Sequence, residues 1–483
     1  MKLKNVIVYS IGLLLFVFST ACEKELDFLP DDRITSANFP KDKGDMMLLL
    51  NGCYAQLQES SIYNQGLFGF GVLDGATPNA YNWGNGTIAK AGNGQLSTSD
   101  GEMLTYIWKQ SYSIIFRTNY LLSLIDKVAL DDTEKSTILG EAHFLRGLGY
   151  ATLAMSYGGV PILNSVVFTG EVSNAPRNTA EETWGQAITD YNIAIENLDV
   201  DATEVGRATK GAALGMKMRA LLYQGKYEDV LQVIDKIDAL GKYQLFPSYD
   251  GLFRLENENN EEVLFDVQYM SGENSQGSYL DQYCGTGTGS YTRGTRYVPT
   301  DNLVNAYEMI DGSAPDLLNP YDGRDPRMAF TIVVPGSYIL GHRFPSYLYP
   351  GGAFNHPGNR LKHLSTRKYR AESLDKLSPA GQSDLNYIIL RYADVILSKA
   401  ESLIETGGDI SEAINLMNRI RTERDDVKIT PLPMGLTREE ARQSLRKERR
   451  VEFALEGLYW FDINRWGIGN EIYPVEVLDH YGD

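Results

Sequence analysis

The sequence predicts a mainly α protein. TPR-like helical hairpins, an α-α superhelix, are expected to form a scaffold that carries long irregular loops and short strands. Three observations lead there. Apolar residues recur at helical spacing over much of 41–241 and again from Ile389 to about Tyr459. Two helix–turn–helix pairs have the small residues and Gly turns of tetratricopeptide units. Between them, 242–385 is dense in Gly, Pro, Tyr and Asn and loses the helical period.

The N-terminus opens with Lys2 and Lys4, then an apolar run from Val6 to Phe18, then Ser19-Thr20-Ala21-Cys22. Basic, apolar and small-residue regions in that order read as a signal peptide over 1–21. Small residues before Cys22 match the lipobox of bacterial lipoproteins, except that Ser19 stands where Leu is usual. Cys22 is therefore the expected lipidation site, and two or more acyl chains there give stable anchoring. Residues 22–40 are polar and read as a tether. The body is divided into 41–241 and 242–483, expected to pack together as one body.

Asp42–Glu59 reads as an amphipathic helix with the pattern Met46, Leu49, Leu50, Cys53, Leu57, which makes Cys53 a buried structural thiol. Whether it pairs with Cys284 stays open at this level. Ser99–Val128 and Thr133–Tyr157 are long helices, the second stopped by Gly158-Gly159-Val160-Pro161, and Thr179–Leu198 is another. From Arg207 to Leu240 are 34 residues, with stripes Ala213, Met216, Ala220, Tyr223 and Tyr227, Val230, Leu231, Ile234 on either side of Gly225-Lys226. Ala212, Ala213, Gly215 and Ala220 would let the two helices approach closely. Glu262–Tyr269 and Met328–Val334 read as strands. Ile389, Ala393, Ile396, Ala400 and Leu403 line a further helix, which Gly407-Gly408 ends. Asp409…Glu412 and Thr437…Glu440 have capping-box spacing, the second opening a helix to about Tyr459.

Charge narrows the function. With 45 Lys+Arg against 63 Asp+Glu the chain carries −18, and −20 once residues 1–21 are removed. Nucleic acid is excluded as a general partner, because a basic face must replace its counterions. No motif for phosphate, zinc or an activated serine is present, and the 5 His are scattered, so no cofactor or metal is expected. Gly285-Thr286-Gly287-Thr288-Gly289 neither follows a strand nor opens a helix. Glu448 and Glu452 lie four apart on one helix face, the one arrangement that could serve a glycoside hydrolase. Leu445 and Leu455 share that face, so the glutamates point inward and need cationic partners. Arg446, Arg449, Arg450, Arg421 and Arg465 are at hand.

The aromatic loops offer a different chemistry. A sugar ring lays its C–H face on an aromatic ring, while its hydroxyls need Asn, Asp, Gln or Arg at the rim. Trp83 beside Tyr81, Asn82 and Asn85 fits that recipe. Tyr283, Tyr291, Arg296 and Tyr349 are the leading candidates in the second loop region, with Tyr279, Arg293, Tyr297, Tyr338, Phe344, Tyr347 and Phe354 near them. The competing role for the 30 Tyr is to glue irregular loops to the scaffold through ring and hydroxyl together.

Several runs carry a resemblance. They are Leu390-Arg391-Tyr392-Ala393-Asp394, Asn418-Arg419-Ile420-Arg421, Arg449-Arg450-Val451-Glu452-Phe453 and Trp460-Phe461-Asp462, with Glu141-Ala142-His143-Phe144-Leu145-Arg146 and Arg207-Ala208-Thr209-Lys210-Gly211 upstream. In this order they resemble the signatures of the SusD/RagB family over nearly the whole chain. The resemblance implies an outer-membrane lipoprotein of Bacteroidetes-type bacteria, facing the cell exterior. It also implies a partner, a SusC-like TonB-dependent transporter that the protein would cap as a hinged lid. The cargo would be a glycan or, in the RagB branch, a peptide, and the family is not one of enzymes. Relatives usually run on for several tens of residues past the Trp460–Trp466 motif, so contacts of such a tail are not carried over.

Overall fold

In the computed structural model the described residues are 39–59, 62–64, 70–82, 86–92, 94–167, 174–272, 276–280, 297–316, 318–339, 342–343, 364–369 and 383–473. Helix α1 (Lys43–Tyr54) starts where the Asp42 carboxylate accepts the Asp45 amide at 3.0 Å. Its Met46, Leu50 and Cys53 are fully buried, and burial pushes the Cys53 thiol up to about 12. Strand β1 (Ala80–Asn82) and helix α2 (Gly86–Gly92) follow, and then α3 (Gly101–Leu124).

Helix α4 (Asp132–Tyr157) opens on an Asp131/Glu134 capping box, and α5 (Ala180–Asn197) on a Thr179/Glu182 box. Each box satisfies two amides that lack intrahelical partners. The expected stop after Tyr157 is real. Gly158 takes a left-handed φ of +71°, and a Cβ on Gly159 would lie 2.0 Å from the Asn178 carbonyl oxygen. Helices α6 (Lys210–Tyr223) and α7 (Tyr227–Asp238) form the predicted hairpin around Gly225. Gly215, however, accommodates a strand rather than the partner helix: a Cβ there would meet Leu390 Cδ2 at 2.3 Å and Leu264 Cδ2 at 2.9 Å.

Among the described residues there are four two-stranded antiparallel ribbons, three linking distant segments and one a local hairpin. They are built from β2 (Val263–Val267), β3 (Tyr297–Pro299), β4 (Ile332–Val333), β5 (Tyr338–Ile339), β6 (His342–Arg343), β7 (Ser365–Thr366) and β8 (Tyr387–Arg391), with β1. Strand β1 pairs with β3, β2 with β8, β4 with β7 and β5 with β6. Helix α8 (Asp301–Ala306) follows β3, and α9 (Pro326–Thr331) precedes β4.

The C-terminal scaffold is α10 (Tyr392–Thr406), α11 (Ile410–Thr422), α12 (Arg438–Glu452), α13 (Tyr459–Trp466) and the single turn α14 (Gly469–Ile472). Ile396, Leu397, Ala400, Met417, Ile420 and Leu445 form the core between α10, α11 and α12. A larger core joins residues from Met46 to Phe461. Among the described residues no helix is long and apolar enough to cross a membrane.

Four local expectations need correction. Pro326 at the first helical turn and the Asp325 cap fold Met328–Thr331 as helix, leaving only Ile332–Val333 as strand. Ile389 belongs to strand β8, because the chain enters α10 only at Tyr392. Asp409 accepts the Ser411 amide at 2.8 Å, so Asp409 and Glu412 form no capping box. Helix α12 stops at Glu452, since Leu455 (φ +65°) and Gly457 (φ +79°) turn the chain before α13. The Thr437/Glu440 box is present as expected.

Candidate functional site

The carboxylate pair Glu448 and Glu452 lies on the inward face of α12 and is fully buried. Arg327 Nη1 reaches Glu448 at 2.6 Å and Glu452 at 2.8 Å. Arg391 holds Glu452 at 2.7 Å, Arg424 holds it at 3.0 Å, and Arg421 takes Glu448 at 2.9 Å. Burial by itself would raise the Glu452 carboxyl, but Arg424, Arg391 and Arg327 together hold it well below the usual range. A carboxylate surrounded in this way is poorly suited to receive or deliver a proton.

Of the five arginines expected as partners, only Arg421 serves this pair. Arg449 and Arg465 turn to a second buried cluster, where Arg449 pairs with Asp394 (2.9 Å) and Asp462 (3.0 Å) and Arg465 with Asp462 and Glu401. Arg446 lies over the Trp466 ring, and Arg450 donates to Asn79. Arg327, Arg391 and Arg424 come from distant segments, and their pairing with the glutamates has no sequence-local signal.

An internal cavity of about 40 Å³ lies among Trp184, Met216, Tyr223, Tyr387 and Phe461. A water needs about 10–15 Å³ of such space, so a few waters fit there and a hexose ring does not.

The other candidate is the β1–β3 ribbon. Its register sets Ala80 opposite Pro299, Tyr81 opposite Val298 and Asn82 opposite Tyr297. The chain segment that leads to Trp83 and the one that arrives from Arg296 thus meet at one end of the same ribbon. Tyr81 is half-buried, and that burial raises its hydroxyl pKa. Trp83, Asn85, Tyr283, Tyr291, Arg296, Tyr349 and Cys22 lie outside the described residues, as do Cys284, Arg293, Phe344, Tyr347 and Phe354. Tyr279 is partly buried, its amide donating to Asn64 Oδ1 at 2.9 Å. Tyr338 sits 75% exposed on the β5–β6 hairpin.

A set of buried polar groups fastens the ribbon. Thr300, just past β3, donates its amide to the Asn79 carbonyl at 3.1 Å and its hydroxyl to the Pro78 carbonyl. Asn79 Nδ2 donates to Asp74 Oδ1 at 3.0 Å, and Asp74 Oδ2 accepts the Gly457 amide at 2.8 Å. Arg450 Nε donates to Asn79 Oδ1 at 2.8 Å. Burial pushes the Asp74 carboxyl up to about 6, against the opposing pull of the Asn79 and Gly457 donors. Sequence reasoning missed Asp74, Asn79 and Thr300 as a group. The available signal was a cluster of Asp, Thr, Pro and Asn between Asp74 and Asn79.

Comparison with known proteins gives consistent matches. Residues 261–479 match the model of the SusD family, and 26–222 match one described as starch-binding associating with outer membrane. SusD-like protein P2 of Formosa agariphila is 26% identical, the alignment covering 98% of this chain and 93% of that protein. A SusD-like protein of Bacteroides fragilis superposes with a TM-score of 0.79 at 28% identity, over 92% of this chain and 90% of that one. A laminarin-binding SusD-like protein has the same fold, with a TM-score of 0.71 at 20% identity over 90% and 94% of the two chains.

Proposed function

Since the chain belongs to the SusD-like family, we propose that it captures an oligo- or polysaccharide at the cell surface without turning it over. The observation that carries this reading is the register of Asn82 opposite Tyr297. It brings the ends of two aromatic loop regions together, and each contains the ring-plus-amide or ring-plus-guanidinium composition that sugars need. The residues proposed to hold the glycan are Tyr81, Asn82, Trp83 and Asn85 in the first loop sequence and Tyr283, Tyr291, Arg296 and Tyr349 in the second. The matching family model described as starch-binding, together with a laminarin-binding protein of the same fold, supports a glycan as the ligand class.

In the same reading Cys22 carries the lipid anchor and the body faces outward from the outer membrane. A SusC-like TonB-dependent transporter receives the glycan. The enclosure of Glu448 and Glu452 by arginines supports binding over hydrolysis.

Calorimetry with the purified chain against polysaccharide and peptide pools tests the ligand class. Heat from at least one polysaccharide and none from peptides is expected. Strong peptide binding with no glycan response would overturn the reading in favour of a RagB-type peptide importer. Release of reducing sugar that Glu448→Gln abolishes, with the fold intact, would make the protein a hydrolase.

A further inference from the structure

We propose that the buried Asp74–Asn79 pair, together with Arg450 and the Gly457 amide, positions the β1–β3 ribbon and thereby sets the affinity of the glycan site at its end. The inference rests on the glycan reading above.

A ribbon with three residues in each strand has few ladder hydrogen bonds and is marginal alone. Its geometry must therefore come from what it is tied to. Asn79 stands immediately before β1, is fully buried, and uses every polar atom of its side chain. Its Nδ2 donates to Asp74, its Oδ1 accepts from Arg450, and its backbone carbonyl accepts the amide of Thr300 at the end of β3. One residue thus touches both ribbon strands and the C-terminal scaffold.

The scaffold end is rigid. Arg450 projects from α12, whose neighbouring Arg449 and Glu452 are locked in buried ion pairs. Gly457, in the left-handed region at φ +79°, presents its amide to Asp74 from the turn between α12 and α13. Glu456, next to it, is held by Arg391 and Lys368 at 2.9 Å each. The ribbon is referenced to the ionic core through the short relay Asn79–Asp74–Gly457 and directly through Arg450. A binding site holds its geometry only as well as the shell that supports it. Asn79→Ala would deprive both the Asp74 carboxylate and Arg450 Nε of this partner. Arg450→Lys would keep the charge but not the Nε donor.

The test compares full-length wild type with N79A, R450K and T179A. The last removes the α5 cap without touching the ribbon. Affinity is read by electrophoresis through gels containing soluble starch, laminarin or other neutral and acidic polysaccharides. Amide hydrogen exchange is read at 80–82 and 298–300. The expected result is about five-fold or greater weakening for N79A, a smaller loss for R450K, and faster exchange confined to the ribbon. T179A should lower the melting temperature and leave affinity unchanged. If wild type is retarded and both N79A and R450K match it, the positioning role is wrong while the glycan reading survives. If N79A does not fold, R450K decides alone. A wild type retarded by no polysaccharide overturns the glycan reading and this inference with it.

Discussion

Asn82 faces Tyr297 across an antiparallel register, although one belongs to the N-terminal helical half and the other to the long aromatic excursion. The pairing joins two segments that are remote in sequence into one ribbon.

Trp83 follows Asn82 directly, so Trp83→Ala is expected to weaken glycan retention by about ten-fold or more if its ring stacks on sugar, taking roughly 1–3 kcal/mol per stacked base as the nearest analogue. The melting temperature should not move. Unchanged affinity would remove Trp83 from the site.

Glu452 answers to three buried guanidinium groups. Glu452→Gln leaves them short of one negative charge, and the expected loss of stability is about 3–5 kcal/mol. Urea unfolding measures it. A change below about 1 kcal/mol would show that the cluster is not acting as a paired network.

Among the described residues burial raises four carboxyls, Asp74 and Asp266 to about 6, Glu258 to about 7, and Glu141 in the same direction. An unfolded carboxyl titrates near 4, so between about pH 4 and 7 the folded chain holds protons that the unfolded chain has lost. Stability from these groups is therefore highest at the acid end of that window and falls as pH rises. The oppositely shifted Glu452 and Asp394, held low by arginines despite burial, lose their contribution only as pH drops below about 4. The urea midpoint should be higher at pH 5 than at pH 7.5, and Asp74→Asn should shrink the difference. A higher midpoint at pH 7.5 contradicts the assignment.

Gly159 packs its Cα against the Asn178 carbonyl, where a methyl would sit 2.0 Å from the oxygen. Gly159→Ala must displace backbone, and a loss of about 2–3 kcal/mol is expected. Gly185 has nothing within 4 Å of the same virtual position, so Gly185→Ala should be neutral or stabilising in thermal unfolding, as an added helix former.

Much of the helical scaffold was legible because its signals are local. The 207–240 hairpin, the stop at Gly158-Gly159 and the Thr437/Glu440 box depend on periodicity, a turn glycine and a capping pair within four residues. Strand β8 was not legible: Tyr387–Leu390 is apolar and, with Arg391, runs straight into α10, so spacing cannot separate strand from helix. The turn at Leu455 and Gly457 was missed for a related reason, since buried partners of Glu452 and Glu456 come from other parts of the chain.

The site divides in the same way. Tyr81 and Asn82 could be proposed from loop composition, and their backbone forms part of strand β1. Asp74, Asn79 and Arg450 could not be joined in advance, because a buried polar relay exists only after distant segments meet. The buried role of Glu448 and Glu452 was foreseeable from Leu445 on the same face, although the identity of most of their arginines was not.

The central claim is tested most directly by a crystal structure of the protein with a bound oligosaccharide selected in the calorimetric screen. The account predicts sugar rings against the end of the β1–β3 ribbon, within contact of residues 81–85 and 291–297. Sugar bound at another face, with that end of the ribbon bare, would contradict it.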